Sequence, residues 1–598
     1  MFNEIDRRTA MIALLSTPLI GASGRTPNTR ADIEELFETS FSRRVSASPI
    51  LQARLGIRTD QDKWDDISEA SQLAAAEANS DELRIARSLL ARSVDPALEL
   101  SLRLFIYSGE TMQADFRCRH HIYMVSQMTG LHDQVVSTLL NNHQIRDYSD
   151  AAAYIDRLAG IPRLFDQLTD ALEAQRVAGV SPPAFICAAV ANSLDRLLTG
   201  APFDDGPNAN ILFSDFLIKV GKSQIEPEQR RELRSRAEAA LRDHFAPGYR
   251  HLRDYLTGLA AARGDTPVGA WALPDGDAFY RSRLLRATTL PLSADDIHHI
   301  GRKEVARVLD RMAQIAASRG FSANLPGFWR HVEADEGQWF APTEQGRASY
   351  LAEADALLVR AMEAGPRIFS QQPRSPVEIR RVEAWREATV PKAFYSSPPH
   401  DRSRPGIYYV NLHDMRAVPR YELAALLFHE AVPGHHIETT LAEDRADLPM
   451  FRKLLSIAAY SEGWGLYAEH LAEEQNLYPD EMSVFGLLSM RLLRAARVVA
   501  DTGIHAFRWT REEAVAYLDG LLPLTPRNNR QEVDRYIAIP GQATAYLTGY
   551  RELLRLRERT AARQGAAFDI RAFHDVVLGQ GPLPLPVLDE LLAARFGR

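Results

Sequence analysis

The sequence predicts a mainly α-helical fold carrying one short edge strand or small sheet. Apolar residues recur at three- and four-residue intervals over Leu83–Val94, Ala97–Ile106, Asp150–Leu158, Pro162–Val177, Pro227–Leu241, Ser293–Ala317 and Arg347–Met362, the period of a helix with one buried face. Against these, one segment reads convincingly as a strand: Gly406-Ile407-Tyr408-Tyr409-Val410-Asn411, aromatic and β-branched behind Pro405. With 598 residues, 45% hydrophobic and 25% charged, the composition is that of a globular chain. A formal net charge of −8 and a pI near 6.1 disfavour a nucleic-acid surface.

In chain order, Arg7-Arg8 precedes a short apolar run, Ala10 to Leu15, then Pro18 and the small residues Gly21-Ala22-Ser23-Gly24. This pattern predicts a twin-arginine signal over residues 1–24 and a periplasmic or secreted protein. The alternative is a frayed amphipathic start to a cytoplasmic one. The run is too short to span a bilayer, and no integral membrane segment is expected in the mature chain. Residues 25–30 read as a linker and 31–598 as a single helical domain, with an N-terminal lobe to about 270 and a catalytic half from about 271. Asp150 and Ser293 are natural N-caps, and Pro/Gly clusters at Gly200–Gly206, Gly264–Gly276 and Ser396–Gly406 punctuate the helices. Cys118 and Cys187 provide no disulfide framework and read as buried small residues. The Gly406–Asn411 strand would offer Tyr409 and Asn411 to an extended peptide by strand addition; a buried hairpin strand is the equal alternative.

The chemistry concentrates in Phe428-His429-Glu430-Ala431-Val432-Pro433-Gly434-His435-His436-Ile437-Glu438. Two imidazoles with a carboxylate suit Zn²⁺, and a Glu beside the first His suits a general base. In the ordinary motif the histidines lie four residues apart on one face, but here that position is Pro433. At about 100° per residue His435 would sit roughly 240° round from His429 on a straight helix. His436 would share its face but lie roughly 10 Å along. Pro433 cannot donate to the helix, and its ring collides with the preceding turn. A two-residue bulge at Val432-Pro433 would bring His435 into place; His435 is the expected second ligand and His436 its rival.

A third ligand is expected from Ala458-Ala459-Tyr460-Ser461-Glu462-Gly463-Trp464-Gly465-Leu466-Tyr467-Ala468-Glu469. Glu462 is favoured, with glycines at 463 and 465 allowing close approach; Glu469, on the same face two turns on, is the alternative. Arg497, Asp501 and His505 follow at four-residue intervals, either as a surface ion-pair ladder or as groups that orient a ligand or grip a substrate carboxylate. Asp534 to Tyr546 then sets Pro540-Gly541 ahead of a helix bearing Tyr546, a candidate oxyanion donor, with Tyr536 and His505 as further candidates.

Together these segments resemble the bacterial family called domain of unknown function 885, regarded as gluzincin-type zinc peptidases and distantly similar to thimet oligopeptidase, angiotensin-converting enzyme and carboxypeptidase Taq. The resemblance rests on His429 to His436, Ser461 to Tyr467, Asp501-Thr502-Gly503-Ile504-His505 and Pro540-Gly541-Gln542-Ala543-Thr544-Ala545-Tyr546. Upstream it includes Leu273 to Gly276, Thr288-Thr289 and Gly406 to Asn411. One departure is Glu438, where the family pattern has Gln. The resemblance implies a large two-lobed helical body around a deep cleft. It also implies Zn²⁺ on His429, His435 and Glu462, with Glu430, Tyr546 and His505 catalytic. His436, Tyr536, Tyr409, Asn411, Arg497 and Gln542 would line the substrate site. The activity so implied is zinc-dependent hydrolysis of peptide bonds in short peptides. A zinc amidohydrolase acting on a small non-peptide amide, or a silent binding protein of the same fold, are the other classes, and Glu430 argues against the last.

Overall fold

The helical segments are borne out, except that the one expected over Leu83–Val94 ends at Leu90. In the computed structural model the described residues form a succession of helices with three short strands. It describes residues 29–597 except 93–94, 265, 323, 384–386, 388–390, 399–401, 403, 446 and 523–525. The expected leader lies outside the described residues. Thr29 and Arg30, assigned to the linker, already open the helix Thr29–Ser46.

Most helices run beyond the apolar pattern that betrayed them, because capping residues rather than apolar ones set their ends. Ser293 caps Ala294–Ser318 through a reciprocal capping box with Asp296. Asp147, not Asp150, caps Tyr148–Ala159: its side chain accepts from the Asp150 N–H. Among the described residues no helix is long and apolar enough to cross a membrane.

Contacts divide the chain into two compact units, Met1–Asp265 with Pro449–Arg452, and Thr266–Leu448 with Lys453–Arg598. In the first, helices Glu69–Leu90 and Pro96–Arg117 pack together. Phe451 from the returning segment closes their core, its ring 4.8 Å from Phe37. Both cysteines are free; Cys187 is buried as expected, whereas Cys118 is half-exposed at a helix end.

The second unit is built on helices α1 (Gly276–Thr288), α2 (Ala294–Ser318), α3 (Arg420–Glu430), α4 (His435–Glu443), α5 (Ala458–Glu474), α6 (Glu481–His505), α7 (Pro526–Ala538) and α8 (Ala545–Gln564). α6 is its axis, buried on every face and packed on both α2 and α3. Polar side chains on a helix so enclosed are costly unless paired, and α6 carries Arg491, Arg494, Arg497, Asp501 and His505. α5 lies along α8, with Gly463 against Gly549 at the crossing. A Cβ on Gly463 would fall 2.6 Å from the Gly549 carbonyl carbon, so both positions exclude a side chain.

Three strands, β1 (Val377–Arg381), β2 (Ala393–Ser396) and β3 (Gly406–Val410), form a sheet in the order β1-β3-β2. β3 is parallel to β1 and antiparallel to β2. The expected edge strand is thus the central one. Its residues are almost wholly buried, and both of its hydrogen-bonding edges are occupied. It cannot add a peptide strand.

Candidate metal centre

α3 is buried from Tyr421 to His429, and Glu430 is its last residue. The chain then breaks rather than bulges: Ala431 leaves helical geometry, a cis Val432–Pro433 bond follows, and α4 begins at His435. The break re-aims His435 back over the end of α3, where its ring stands 4.9 Å from that of His429 at 87°. His429 Nε2 is 3.5 Å and His435 Nε2 3.8 Å from Glu462 Oε2 on α5. The three donor atoms lie within 4.8 Å of one another, the one such group of three among the described residues. A tetrahedral zinc with bonds of about 2.0–2.1 Å spaces its donors about 3.3–3.4 Å apart, so the set fits with little adjustment. Gly465 makes room for it: a Cβ there would stand 2.5 Å from the His429 ring.

Each imidazole is held by a carboxylate on its other nitrogen. His429 Nδ1–H donates to Glu469 Oε1 (2.8 Å), which Arg494 also approaches. His435 Nδ1–H donates to Glu438 Oε2 (3.1 Å), which accepts in addition from the Ser461 hydroxyl (2.7 Å). Both Nε2 lone pairs are thereby directed at the cluster. Glu469 therefore stands behind a candidate ligand rather than in the cluster, and Glu438 makes a contact that the sequence had not disclosed.

The electrostatics agree with a cation site. Burial opposes the charged form of His435, yet Glu438, Glu430 and Glu462 together raise it to about 9. Burial would likewise raise Glu462, but His429 and His435 bring it down to about 2. Carboxylates that hold a proton on an enclosed imidazole would equally hold a metal ion there. His436 stands apart: its Nδ1 lies 2.8 Å from the Tyr395 hydroxyl of β2, and burial lowers it to about 4.

Of the flanking candidates, Tyr546 is half-buried, and the Arg497 guanidinium stacks 4.9 Å over its ring. Burial and the Glu462 charge raise its pKa, so the hydroxyl stays a donor. Gln542 is half-buried with Oε1 accepting from Arg535 (2.5 Å). The others are corrected. His505 is fully buried with both ring nitrogens spent on backbone: Nδ1 accepts from Ala270 N–H (3.0 Å) and Nε2–H donates to the Tyr536 carbonyl (3.0 Å). It has no atom left for catalysis. Tyr536 is buried and gives its hydroxyl to Glu532 (2.8 Å). Asp501 accepts from Tyr280 (2.6 Å) and from Gly541 N–H (3.1 Å), burial raising it to about 7. The Arg497–Asp501–His505 array is thus neither exposed nor a ladder. It ties α6 to α1 and to the Pro540-Gly541 turn. Asn411, just past β3, donates to the Glu387 carbonyl (2.7 Å), and Tyr409 of β3 stacks on Phe394 of β2 at 5.1 Å.

Fold and site define a mainly helical protein with a His–His–Glu cluster of metal-ligating type on α3, α4 and α5. The chain belongs to the family of bacterial proteins of unknown function DUF885, which it matches over residues 49–592. Its fold is that of the crystal structure of a "putative lipoprotein" from Colwellia psychrerythraea (TM-score 0.88, 25% identity, 95% of this chain and 99% of that one). It also matches a "putative lipoprotein of unknown function" from Shewanella oneidensis (TM-score 0.73, 17% identity, 94% and 99%), a likeness of fold alone. No functionally curated protein matches the chain.

Proposed function

We propose that the chain is a zinc-dependent, gluzincin-type hydrolase that cleaves peptide bonds in short peptides. The observation that carries this reading is the convergence of His429 Nε2, His435 Nε2 and the Glu462 carboxylate beside a glutamate whose charge is felt at His435. When bound, the ion would supply Lewis-acid activation of water and of the scissile carbonyl. Glu430, directly after the first histidine and half-buried, accepts the proton of the attacking water and returns it to the leaving amine. Tyr546 donates its hydroxyl to the carbonyl oxygen as charge builds there. Glu438 and Glu469 keep the imidazoles in the right tautomer and orientation. The restriction to short peptides follows from the resemblance to cleft-bearing peptidases. The lipoprotein description of the Colwellia structure supports an extracytoplasmic setting, reached through the Arg7-Arg8 leader. Glu430→Gln tests the reading: it should keep one zinc per chain by elemental analysis and lower kcat on a short peptide by at least ~10²-fold. Turnover near the wild-type rate would refute the mechanism.

A further inference from the structure

Helix α5 reaches the break between α3 and α4 through one side chain. The Trp464 indole N–H donates to the Pro433 carbonyl (3.0 Å) and, at longer range, to that of Gly434 (3.3 Å). Trp464 is the one donor that the Pro433 carbonyl finds among the described residues. The Gly434 carbonyl also accepts from the Ile437 and Glu438 N–H groups, which form the first turn of α4. Gly434 itself rests on the end of α3, where a Cβ would fall 1.9 Å from the His429 carbonyl oxygen. The turn that carries His435 is thus pressed onto α3 and tied to α5. It also carries Glu438, whose carboxylate holds His435 Nδ1.

Trp464 is the largest side chain wholly buried among the described residues. Its ring packs at 6.2 Å from Phe369, 5.3 Å from Tyr467 and 5.5 Å from His574. Packing alone does not call for tryptophan there, since a phenylalanine ring would serve in such a cluster. What the indole adds is one donor, and a buried donor must be given a partner. On the same helix, Glu462 precedes it by two residues, and Gly465 follows it with the His429 ring laid against its Cα. Helix α5 therefore bears on all three candidate ligands: on Glu462 directly, on His429 through the space at Gly465, and on His435 through Trp464.

We infer that Trp464 is a positioning residue for the metal centre: its N–H fixes the turn from which His435 projects and so sets the distance of that imidazole from His429. The inference rests on the zinc reading above and adds the residue that places the second ligand. Two histidines on one regular helix are spaced by the helix itself. Here they stand on separate helices with their rings 4.9 Å apart, and a hydrogen bond from a third helix takes over that task. Metal ligands need to be held within about 0.5 Å of their working positions, so freeing the turn should be felt as lost affinity.

The full chain carrying Trp464→Phe keeps a ring in the cluster and loses the donor. Incorporating 3-benzothienylalanine at position 464, which has the shape of tryptophan with sulfur in place of N–H, removes the donor alone. Tyr467→Phe is the control: it takes a hydroxyl from His574 and Arg557 in the same cluster and leaves the turn untouched. Both position-464 proteins should bind Zn²⁺ at least ~10-fold more weakly in competition with a chelator. The visible absorption of their Co²⁺-loaded forms should lose intensity, as a four-coordinate ion slackens towards water. In the metal-free proteins, amide hydrogen exchange at Ile437 and Glu438 should quicken at least ~10-fold. Tyr467→Phe should leave all three readings unchanged. Unaltered zinc affinity or Co²⁺ absorption in the benzothienyl protein would overturn the inference, as would an equal loss in Tyr467→Phe. If the unsubstituted chain binds neither metal, the zinc reading fails and exchange alone decides: faster exchange means that Trp464 still holds the turn. Unchanged exchange overturns that role whatever the metal does.

Discussion

Two buried polar arrays lie within the second unit, and their geometry separates a site from a scaffold. On α3, α4 and α5, His429, His435 and Glu462 point at a common centre. The outward nitrogens of the two imidazoles are fixed by Glu469 and Glu438, and the inward donor atoms lie within 4.8 Å of one another. On α6, Arg497, Asp501 and His505 are likewise ionisable and are all buried, yet they fan out to Glu532, to Tyr280 and Gly541, and to Ala270 and Tyr536. The first array leaves lone pairs unspent in one place; the second spends them on backbone and neighbouring helices. Both arrays are ionisable, and the more deeply buried one is not the convergent one, so neither charge nor depth picks out the site. Convergence does.

Deleting the converging atoms should break the comparison most strongly. His429→Ala and Glu462→Ala should each abolish stoichiometric zinc binding, measured by elemental analysis of dialysed protein, whereas His436→Ala should retain the metal because its ring faces Tyr395. Full zinc occupancy in the first two would dissolve the distinction. Replacing the supporting carboxylates should have an intermediate effect. Glu438→Gln and Glu469→Gln should weaken zinc affinity about 10–100-fold in a competition titration, while the α6 face stays intact. Unchanged affinity would mean that the imidazoles need no such support. The smallest effect on the metal is expected from His505→Asn. It should leave zinc at one per chain and cost about 2–4 kcal/mol of unfolding free energy, since two backbone groups lose their partner in the interior. A loss of zinc in that variant would show that the second array is part of the site after all.

Much of the first array was legible because its residue types are costly to bury without a purpose and stand close together in the chain. Glu462 could be found once a third ligand was required. Glu469 was visible as a carboxylate on the right face, but only the crossing of α5 over α3 shows that it meets Nδ1 of His429 rather than the centre. Glu438 was noticed as a departure from the family pattern, although its partner, His435, is only three residues away. The break after Glu430 hid their relation, because a continuous helix would have aimed His435 elsewhere. The second array misled for a complementary reason. Spacings of four place residues on one face of α6 but do not reveal that the face is enclosed by α1, α7 and the Pro540-Gly541 turn. β3 was found and its position in the sheet was not. Its neighbour Val377–Arg381 carries Glu378, Arg380 and Arg381 and has too little apolar alternation to be read as a strand.

The interruption between Glu430 and His435 also bears on how such proteins can be found. A motif search that demands two histidines four residues apart passes over this chain, because the interval here is six and contains a proline. The donors belong to two separate rigid segments, so their mutual distance is set by how α4 folds back on α3 and not by counting residues along one helix. Extra residues in the connecting turn can then be accommodated without moving either imbedded nitrogen. Queries written for this kind of centre should therefore fix the His-Glu pair and the later glutamate, and leave the distance to the second histidine open.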